Sequence, residues 1–263
     1  MKLINLFIFA FLCIIMVDAS AQTPRRIVEE DLDRSFKKID YWERQRDKDT
    51  TMAWSDSLEN ANDVFGKKLK YYTEKYPSTI FDPFDSLVKN HMDISTSKDD
   101  LFRIYSWDTQ TGGTMHFFEN VMQYNSGTIT KAIIDTPKRE GDNRPNYNKI
   151  YIFKRNGKTY YLSIFLYIGS TKDMTEGVHI FTIENSKLTD AKLIKTHSGL
   201  HSELSYDYDF GSVVNVDFDK RPAIRFDNAA DTIYLPLVDG NRKLTKKSII
   251  YKFTGMYFER VKS

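Results

Sequence analysis

The chain has 263 residues, in which 38 Lys and Arg stand against 36 Asp and Glu, for a formal net charge of +2. Charges of both signs are interspersed along it, so no basic stripe predicts a nucleic-acid partner. Its single cysteine, Cys13, lies in an N-terminal apolar segment. A chain that has lost this segment can form no disulfide, thiolate nucleophile or cysteine-based zinc site.

Residues 1–21 are typical of a secretory signal peptide. Lys2 supplies the basic start, residues 3–17 form a short apolar run, and the small residues Ala-Ser-Ala end the segment at Ala21. This pattern predicts cleavage between Ala21 and Gln22, and a periplasmic or secreted protein with no transmembrane segment after cleavage. Export without cysteine favours the bacterial envelope or exterior over a disulfide-stabilised eukaryotic product.

Two amphipathic helices are predicted to follow, over residues 26–46 and 52–75. Each has apolar residues at intervals of three or four, which is the period of a helix face. The two apolar stripes are Val28, Leu32, Phe36, Ile39 and Trp42 in the first helix, and Leu58, Ala61, Phe65, Leu69 and Tyr72 in the second. Pro77 ends the second helix. Neither stripe can be buried alone, so we expect a helical hairpin that packs on the rest of the protein.

The helical part is predicted to end before a polar link at residues 95–100. Asp82 and Pro83 have the composition of a further helix start, because Asp caps an N-terminus and Pro suits the first turn. The link itself carries no hydrophobic pattern. We therefore divide the mature chain into an N-terminal helical region, 22–94, and a β-rich domain, 95–263, and expect them to pack together as one unit.

From Leu101 onward the apolar period changes to two, which is the period of β-strands. Asn156-Gly157 is a two-residue turn that closes a tight hairpin, since both of its residues must reach positive φ. The turn predicts the cross-strand pairs Phe153–Tyr160, Tyr151–Leu162 and Ile152–Tyr161. Residues 160–168 are apolar on both faces and predict a central strand covered on both sides. Residues 178–184 are predicted to form the next strand.

The remaining segments extend this pattern as short strands joined by turns. Strands are predicted at 101–107, 115–124, 128–135, 188–196, 213–218, 223–226, 232–237, 248–253 and 256–261. Residues 137–148 and 197–210 are polar and are predicted to be irregular. No helix alternates with these strands, so the fold class is α+β. We expect an N-terminal helical hairpin followed by a predominantly antiparallel β-meander, as a curved sheet, a barrel or a propeller-like arrangement.

Residues 107–114 are the most distinctive candidate for a binding site. Trp107 ends a strand, and Asp108, Thr111 and Thr114 follow in a turn-forming, hydroxyl-rich loop. A tryptophan beside hydroxyls and a carboxylate has the composition to stack on a sugar ring and to hydrogen-bond its hydroxyls. The alternative is a buried Trp107 beside an aspartate that caps its own turn.

Two clusters of potential metal ligands do not match a known metal-binding pattern. His197 and His201 are four residues apart, but the glycine and serines around them disfavour the helix that would bring both imidazoles together. The acidic run 207–219 lacks the glycine and glutamate positions of a calcium-binding loop. We expect no metal and no cofactor. No near partner is expected for the other histidines, His91, His116 and His179.

These features favour an exported, non-enzymatic, β-rich protein of the bacterial envelope that binds a partner protein or an envelope glycan. The sequence contains no catalytic motif and identifies no catalytic residue. A hydrolase of envelope polysaccharide or peptidoglycan stays open as an alternative, because its carboxylates can be dispersed in the sequence. A structural accessory that docks through its N-terminal helices is a third alternative.

The signal-peptide pattern predicts that the exported protein begins at Gln22, because signal peptidases cut after a small residue. Intact-mass measurement of the exported form should give a chain without residues 1–21. As a matched control, Ala21→Leu should block cleavage and leave the longer chain. An exported wild-type protein that retains Met1 would contradict the prediction.

Overall fold

The structure is a computed structural model that describes residues 25–127, 129–135 and 142–261, so the predicted signal peptide lies outside the described residues. The helices are α1, residues 25–43, α2, Ala53–Lys75, and α3, Asp85–Lys89, with a 3-10 helix at Pro77–Phe81. The strands are β1 Asp93–Thr96, β2 Phe102–Asp108, β3 Phe118–Asn125, β4 Thr130–Ile134, β5 Asn146–Arg155, β6 Lys158–Ile168, β7 Asp173–Glu184, β8 Lys187–Asp190, β9 Ile194–Thr196, β10 Gly199–His201, β11 Glu203–Asp209, β12 Arg225–Asp227, β13 Thr232–Val238, β14 Leu244–Phe253 and β15 Phe258–Arg260.

The strands form three sheets, each of which is open at both edges. The first sheet has the order β1-β2-β3-β4, and the second has β11-β7-β6-β5, with β8 also paired to β7. The third has the order β10-β9-β15-β14-β13-β12, in which β15 runs parallel to β9 and the other neighbours are antiparallel. The predicted α+β class is confirmed. The closed-barrel alternative is wrong for the part of the chain that the structure describes.

The helices cover one face of the first sheet. The apolar stripes predicted for α1 and α2 pack there, and all of their members except Trp42 and Tyr72 are buried. Phe65 of α2 lies between Phe36 of α1 and Trp107 of β2, with ring centroids 4.8 and 5.0 Å away. The stripes are therefore buried in this contact, because the helices have no separate core of their own.

The second sheet is buried on both faces, between the first sheet and the third. On one side Phe102 of β2 contacts Tyr161 and Phe181, with ring centroids 5.2 and 5.6 Å apart. On the other side Phe153 of β5 contacts Phe253 of β14 at 4.8 Å. β6 lies between β5 and β7 and contributes buried side chains to both cores. The prediction of a central strand covered on both sides is confirmed.

The predicted hairpin between β5 and β6 is present with the predicted register. Asn156 and Gly157 have φ values of 53° and 73°, as the tight turn requires. The cross-strand partners are Phe153–Tyr160, Tyr151–Leu162 and Ile152–Tyr161. A turn with one favoured geometry thus fixes which residues of β6 face each neighbouring sheet.

Two predictions at the end of the helical region are wrong. Asp82 caps no helix, because its carboxylate lies 2.6 Å from the Nε of Arg25, and α3 begins only at Asp85. The polar link at 95–100 is partly a strand, since β1 pairs with β2 over Asp93–Thr96. A short edge strand needs backbone partners but little apolar sequence, which is why the pattern did not indicate it.

Polar segments farther along the chain also differ from the prediction. Residues 197–210 contain β10 and β11, whereas 213–218 form turns and part of a 3-10 helix where a strand was predicted. The segment 188–196 is divided between β8 and β9, which belong to different sheets. β5 begins at Asn146, inside the predicted loop 137–148, of which residues 137–141 lie outside the described residues.

Replacing Trp107 with alanine should destabilise the protein by about 3–5 kcal/mol, the usual loss for a buried large aromatic side chain. Trp107 is 1% exposed, and its Nε1 donates a hydrogen bond to Asn62 Oδ1 at 3.0 Å. Chemical unfolding would measure the change. Trp54→Ala is the matched control, because Trp54 is only partly buried and should cost less. An unchanged unfolding midpoint for Trp107→Ala would contradict the packing described here.

Candidate functional site

A cleft of about 460 Å³ opens between the first and second sheets, where β7 changes its edge partner. β8 pairs with residues 181–184 of β7 and ends at Asp190, opposite Phe181. β11 starts at Glu203, opposite His179. Between Asp190 and Glu203 the chain leaves the second sheet and forms β9 and β10 of the third. This exchange brings both carboxylates to one histidine, and we call the space in front of it the His179 cleft.

His179 has acidic or hydroxyl partners at both ring nitrogens. Its Nε2 lies 2.9 Å from Asp190 Oδ1, and its Nδ1 lies 3.3 Å from Glu203 Oε1 and 3.1 Å from the hydroxyl oxygen of Tyr147. The imidazole side chain is 9% exposed, whereas those of Asp190 and Glu203 are 47% and 40% exposed. The expectation that His179 has no near partner is therefore wrong. A buried imidazole orients two carboxylates that a ligand can reach.

Tyr147 forms an aromatic floor beside His179. Its buried ring meets Phe165 and Phe181 edge-on, with centroids 6.2 and 6.1 Å apart. Burial, with nearby carboxylates adding to it, raises the pKa of the Tyr147 hydroxyl well above its usual value. Burial also raises the pKa of Tyr167, which lines the same cleft, to about 12. Both hydroxyls therefore keep their protons and can donate hydrogen bonds.

Asp135 adds a carboxyl from the first sheet. It follows β4, and its backbone carbonyl accepts a hydrogen bond from Arg144 Nη1 at 2.8 Å. Burial raises the pKa of the Asp135 carboxyl, and the positive charge of Arg144 only partly opposes that shift. Asp135 therefore holds its proton more readily than a solvated aspartate does. Acids whose pKa values are shifted in a cleft are candidates for a functional role.

The His179 cleft has the composition of a site for a small polar ligand. Its acidic residues are Asp135, Asp142, Asp190 and Glu203. Carboxylates accept hydrogen bonds from hydroxyl or amine groups, while Arg144 and Tyr167 supply donors. The aromatic and apolar part comes from side chains of both sheets. Among the described residues of the lining the carboxyl groups outnumber the cations, which disfavours an anionic ligand and suits an uncharged or cationic one.

A buried hydroxyl without a partner lies next to His179. Ser163 of β6 stands opposite His179 on the sheet and is fully buried. Its Oγ has no hydrogen-bond partner among the described residues. An unpaired buried hydroxyl costs about 1–3 kcal/mol. The unpaired Ser163 hydroxyl therefore makes the folded state less stable than an apolar side chain at this position would. A role in a functional site is one explanation for such a group.

The residues predicted at 107–114 are not brought together as a binding surface. Trp107 is buried under α2, so its ring offers no face to a ligand. Asp108 accepts a hydrogen bond from the backbone N–H of Gln110 at 2.8 Å, as a turn-capping aspartate does. Thr111 and Thr114 are exposed. Of the four, Thr111 lines a cleft, and a role for these residues in ligand binding stays a prediction.

The loop is held against the helices from several directions. Arg46 donates hydrogen bonds to the carbonyls of Gln110 and Gly112 at 2.7 and 3.1 Å, and Asn62 donates to the carbonyl of Thr109 at 2.9 Å. The amide of Gln110 donates to Asp40 Oδ1 at 2.6 Å. Gln110 has a φ of 58°, a left-handed conformation that these contacts support. The loop thus serves first to join the helices to the first sheet.

A second cleft, of about 440 Å³, lies between this loop and α2, and we call it the Thr111 cleft. Its lining includes Thr111, Glu59 of α2 and Phe117. It also includes Glu119 and Arg144, with Glu119 Oε1 3.9 Å from Arg144 Nη1. Burial raises the pKa of the Glu119 carboxyl, and Arg144 partly opposes the shift. An aromatic ring here stands beside carboxyl and hydroxyl groups.

The other histidines form smaller pairs. His116 Nδ1 lies 2.5 Å from Asp108 Oδ2, so His116 also has a partner that the sequence did not indicate. His201 lies 2.9 Å from the hydroxyl of Ser198, on an edge strand of the third sheet. Within the described ranges, His, Cys, Asp and Glu form no group of three that would hold a metal ion.

The residues of the His179 cleft escaped sequence reasoning because their partners are distant in the chain. Tyr147, Asp190 and Glu203 reach His179 only through the pairing of β5, β8 and β11 in the second sheet. One signal was present: residues 203–210 alternate polar and apolar side chains, which is a strand period. Recognising β11 would have placed Glu203 beside a strand of the central meander.

Because comparison with known proteins identifies no function, a functional conclusion depends on the geometry of the clefts. In the part of the chain that the structure describes, no helix is long and apolar enough to cross a membrane. No family model matches the chain, and no curated protein or solved structure is significantly similar to it.

Replacing Asp135 with asparagine should stabilise the protein at about pH 8. The raised pKa means that the folded state binds the Asp135 proton more tightly than the unfolded state, so the carboxyl's contribution to stability is lost as pH rises through the folded pKa. Asparagine cannot ionise. The gain in melting temperature should shrink below the ordinary aspartate pKa of about 3.9.

Asp49→Asn is a control of opposite sign. Hydrogen bonds from Thr51 lower the pKa of Asp49, so its carboxylate stabilises the folded state above the unfolded pKa and stops doing so as pH falls. Asp49→Asn should therefore lower the melting temperature at about pH 8 and have little effect at about pH 3. The same sign for both variants would contradict the burial argument for Asp135.

Proposed function

We propose that the protein is an exported binding protein that holds an uncharged, hydroxyl-rich ligand, a segment of an envelope glycan, in the His179 cleft. The observation that supports it is the convergence of Asp135, His179, Asp190 and Glu203, which come from four separate segments of the chain. Convergent polar groups in a cleft with partly apolar walls are the usual signature of a small-ligand site.

The polar groups of the cleft match the chemistry of a sugar. Hydroxyl groups both donate and accept, so they can pair with the carboxylates of Asp190 and Glu203 and with donors such as Tyr167 and Arg144. Apolar faces of sugar rings pack on aromatic side chains such as Phe181. A cleft of about 460 Å³ is in the range for small ligands. A stable protein–protein contact needs a broader surface, of about 800 Å² per partner.

Two observations bear on the other functions considered for this chain. The apolar stripes of α1 and α2 are buried against the first sheet, which weakens the idea that the helices dock elsewhere. The signal-like segment at residues 1–21 supports an envelope location, where glycans are abundant.

A glycan hydrolase is the second candidate, and Asp135 is the observation that favours it. A general acid in glycoside hydrolysis needs a raised pKa, and burial supplies this at Asp135. Asp190 or Glu203 would then act as the base that takes a proton from water. The water oxygen would bond to the anomeric carbon, while the Asp135 proton would go to the departing sugar oxygen. A glycan-binding protein and a glycan hydrolase would use the same cleft, so one set of variants distinguishes the two functions.

Isothermal titration calorimetry against oligomers of glucose, N-acetylglucosamine and a uronic acid should detect binding of an uncharged sugar and little binding of the anionic uronic acid. Asp190→Asn and Glu203→Gln should each weaken binding at least about tenfold, because a hydrogen bond to a charged group contributes about 1.5–3 kcal/mol. Released reducing ends would report hydrolysis, and Asp135→Asn should abolish any hydrolysis while leaving binding in place.

Asp207→Asn is the matched control for Glu203→Gln, because Asp207 lies four residues along the same strand and outside the cleft. Its affinity should equal that of the wild type. Circular dichroism and melting curves would establish that all variants fold. If none of the sugars binds, or if the control weakens binding as much as Glu203→Gln does, the proposed function is wrong.

A further inference from the structure

The His179 cleft and the Thr111 cleft meet at one strip of chain. Asp142, Asn143 and Arg144 line both of them. The two clefts lie on opposite faces of the first sheet: Glu119 of the Thr111 cleft stands opposite Trp107, on the helix side, whereas Met122 of the His179 cleft belongs to the core shared with the second sheet. The strip therefore crosses the end of the first sheet, and a ligand long enough to pass over it would contact both clefts.

The strip is fixed to the first sheet by hydrogen bonds. Asn143 donates from Nδ2 to the carbonyl of His116 at 3.0 Å, and Arg144 donates to the carbonyl of Asp135 at 2.8 Å. The carbonyl of Pro145 accepts from Asn120 Nδ2 at 3.0 Å. These contacts hold the strip beside the start of β3 and the end of β4, so it offers a ligand a defined surface.

The middle of the strip carries an acceptor without a partner. Asn143 Oδ1 is buried and has no hydrogen-bond partner among the described residues. A buried amide oxygen in this state destabilises the folded protein unless something donates a hydrogen bond to it. The residue as a whole is partly exposed, so a rotation of its amide would bring this oxygen to a hydroxyl or amide group of a ligand crossing the strip. Asn143 therefore points to contact with a ligand at the junction of the two clefts.

We propose that the two clefts are subsites of one groove for a linear oligosaccharide, whose chain runs from the His179 cleft over Asn143 and into the Thr111 cleft. This inference rests on the proposed function and adds to it that the bound glycan segment extends beyond the His179 cleft over several sugar units. In the Thr111 cleft, Phe117 offers an aromatic ring, and Thr111 and Glu59 offer hydroxyl and carboxylate oxygens. Phe117 would thus supply the aromatic contact to a sugar that the sequence suggested for Trp107.

Affinity should consequently depend on ligand length. Calorimetry with ladders of β-1,4-linked glucose and of N-acetylglucosamine, from one to about six units, should show affinity rising over several units and then reaching a plateau. A ligand confined to one cleft of about 460 Å³ would reach its full affinity with one or two units.

Glu59→Gln is the variant that separates the two clefts. Glu59 is exposed on α2 and, of the two clefts, lines only the Thr111 cleft. The substitution should therefore weaken binding of the longest oligomer by about threefold or more and leave binding of the shortest oligomer that binds unchanged. Asp190→Asn, in the His179 cleft, should weaken every length. Glu74→Gln, at an exposed position of the same helix outside both clefts, is the matched control and should change nothing.

The outcomes distinguish this inference from the proposed function. If a sugar binds with length-independent affinity, or if Glu59→Gln has no effect on the longest oligomer, the extended groove is wrong and the single-cleft binding protein stands. If no ladder binds at any length, the proposed function fails and the groove fails with it. Length dependence together with a selective Glu59→Gln effect would support both.

Discussion

The second sheet depends on being covered on both faces at once. Its central strand β6 sends apolar side chains both toward the first sheet and toward the third, so losing either cover would expose a continuous hydrophobic surface to water. The first sheet needs the helices for the same reason, because Tyr105, Trp107 and Val121 face away from the second sheet. The layers of helices, first sheet, second sheet and third sheet follow from this requirement, and no layer can be removed without leaving its neighbour unpartnered.

The His179 cleft lies where this mutual covering stops. Burial between two sheets of a histidine, a tyrosine and several carboxyl groups destabilises the folded state unless these groups pair with one another. They do so here: the imidazole contacts Asp190, Glu203 and Tyr147, and Arg144 opposes the charge of Asp135. The ends of β8 and β11 leave the carboxylates partly exposed. Polar groups therefore concentrate at a gap in the packing, where water or a ligand can complete their hydrogen bonds.

Local patterns predicted the parts of the fold that local forces determine. The stripes of α1 and α2 and the Asn156-Gly157 turn are encoded within a few residues each, and both agree with the structure. The edge strands β1, β10 and β11 were missed, because an edge strand is stabilised by backbone pairing with one neighbour and does not need an apolar sequence. The cleft escaped prediction because Tyr147, Asp190 and Glu203 reach His179 only through the assembly of the second sheet. The sequence left open whether Trp107 faces a ligand or is buried, and the position of α2 decides that the ring is buried.

The parallel pairing of β15 with β9 connects the last described strand to the segment between Asp190 and Glu203, two residues of the His179 cleft. β9 and β10 form the excursion between Asp190 and Glu203, and within the third sheet β15 alone connects them to β14. Phe258 of β15 pairs with Ile194, so this contact spans more than sixty residues of intervening chain. Such a contact forms late, because the entropy cost of closing a long loop precedes the favourable energy of the contact. The excursion that separates Asp190 from Glu203 is therefore joined to the rest of the third sheet only once β15 has paired with β9.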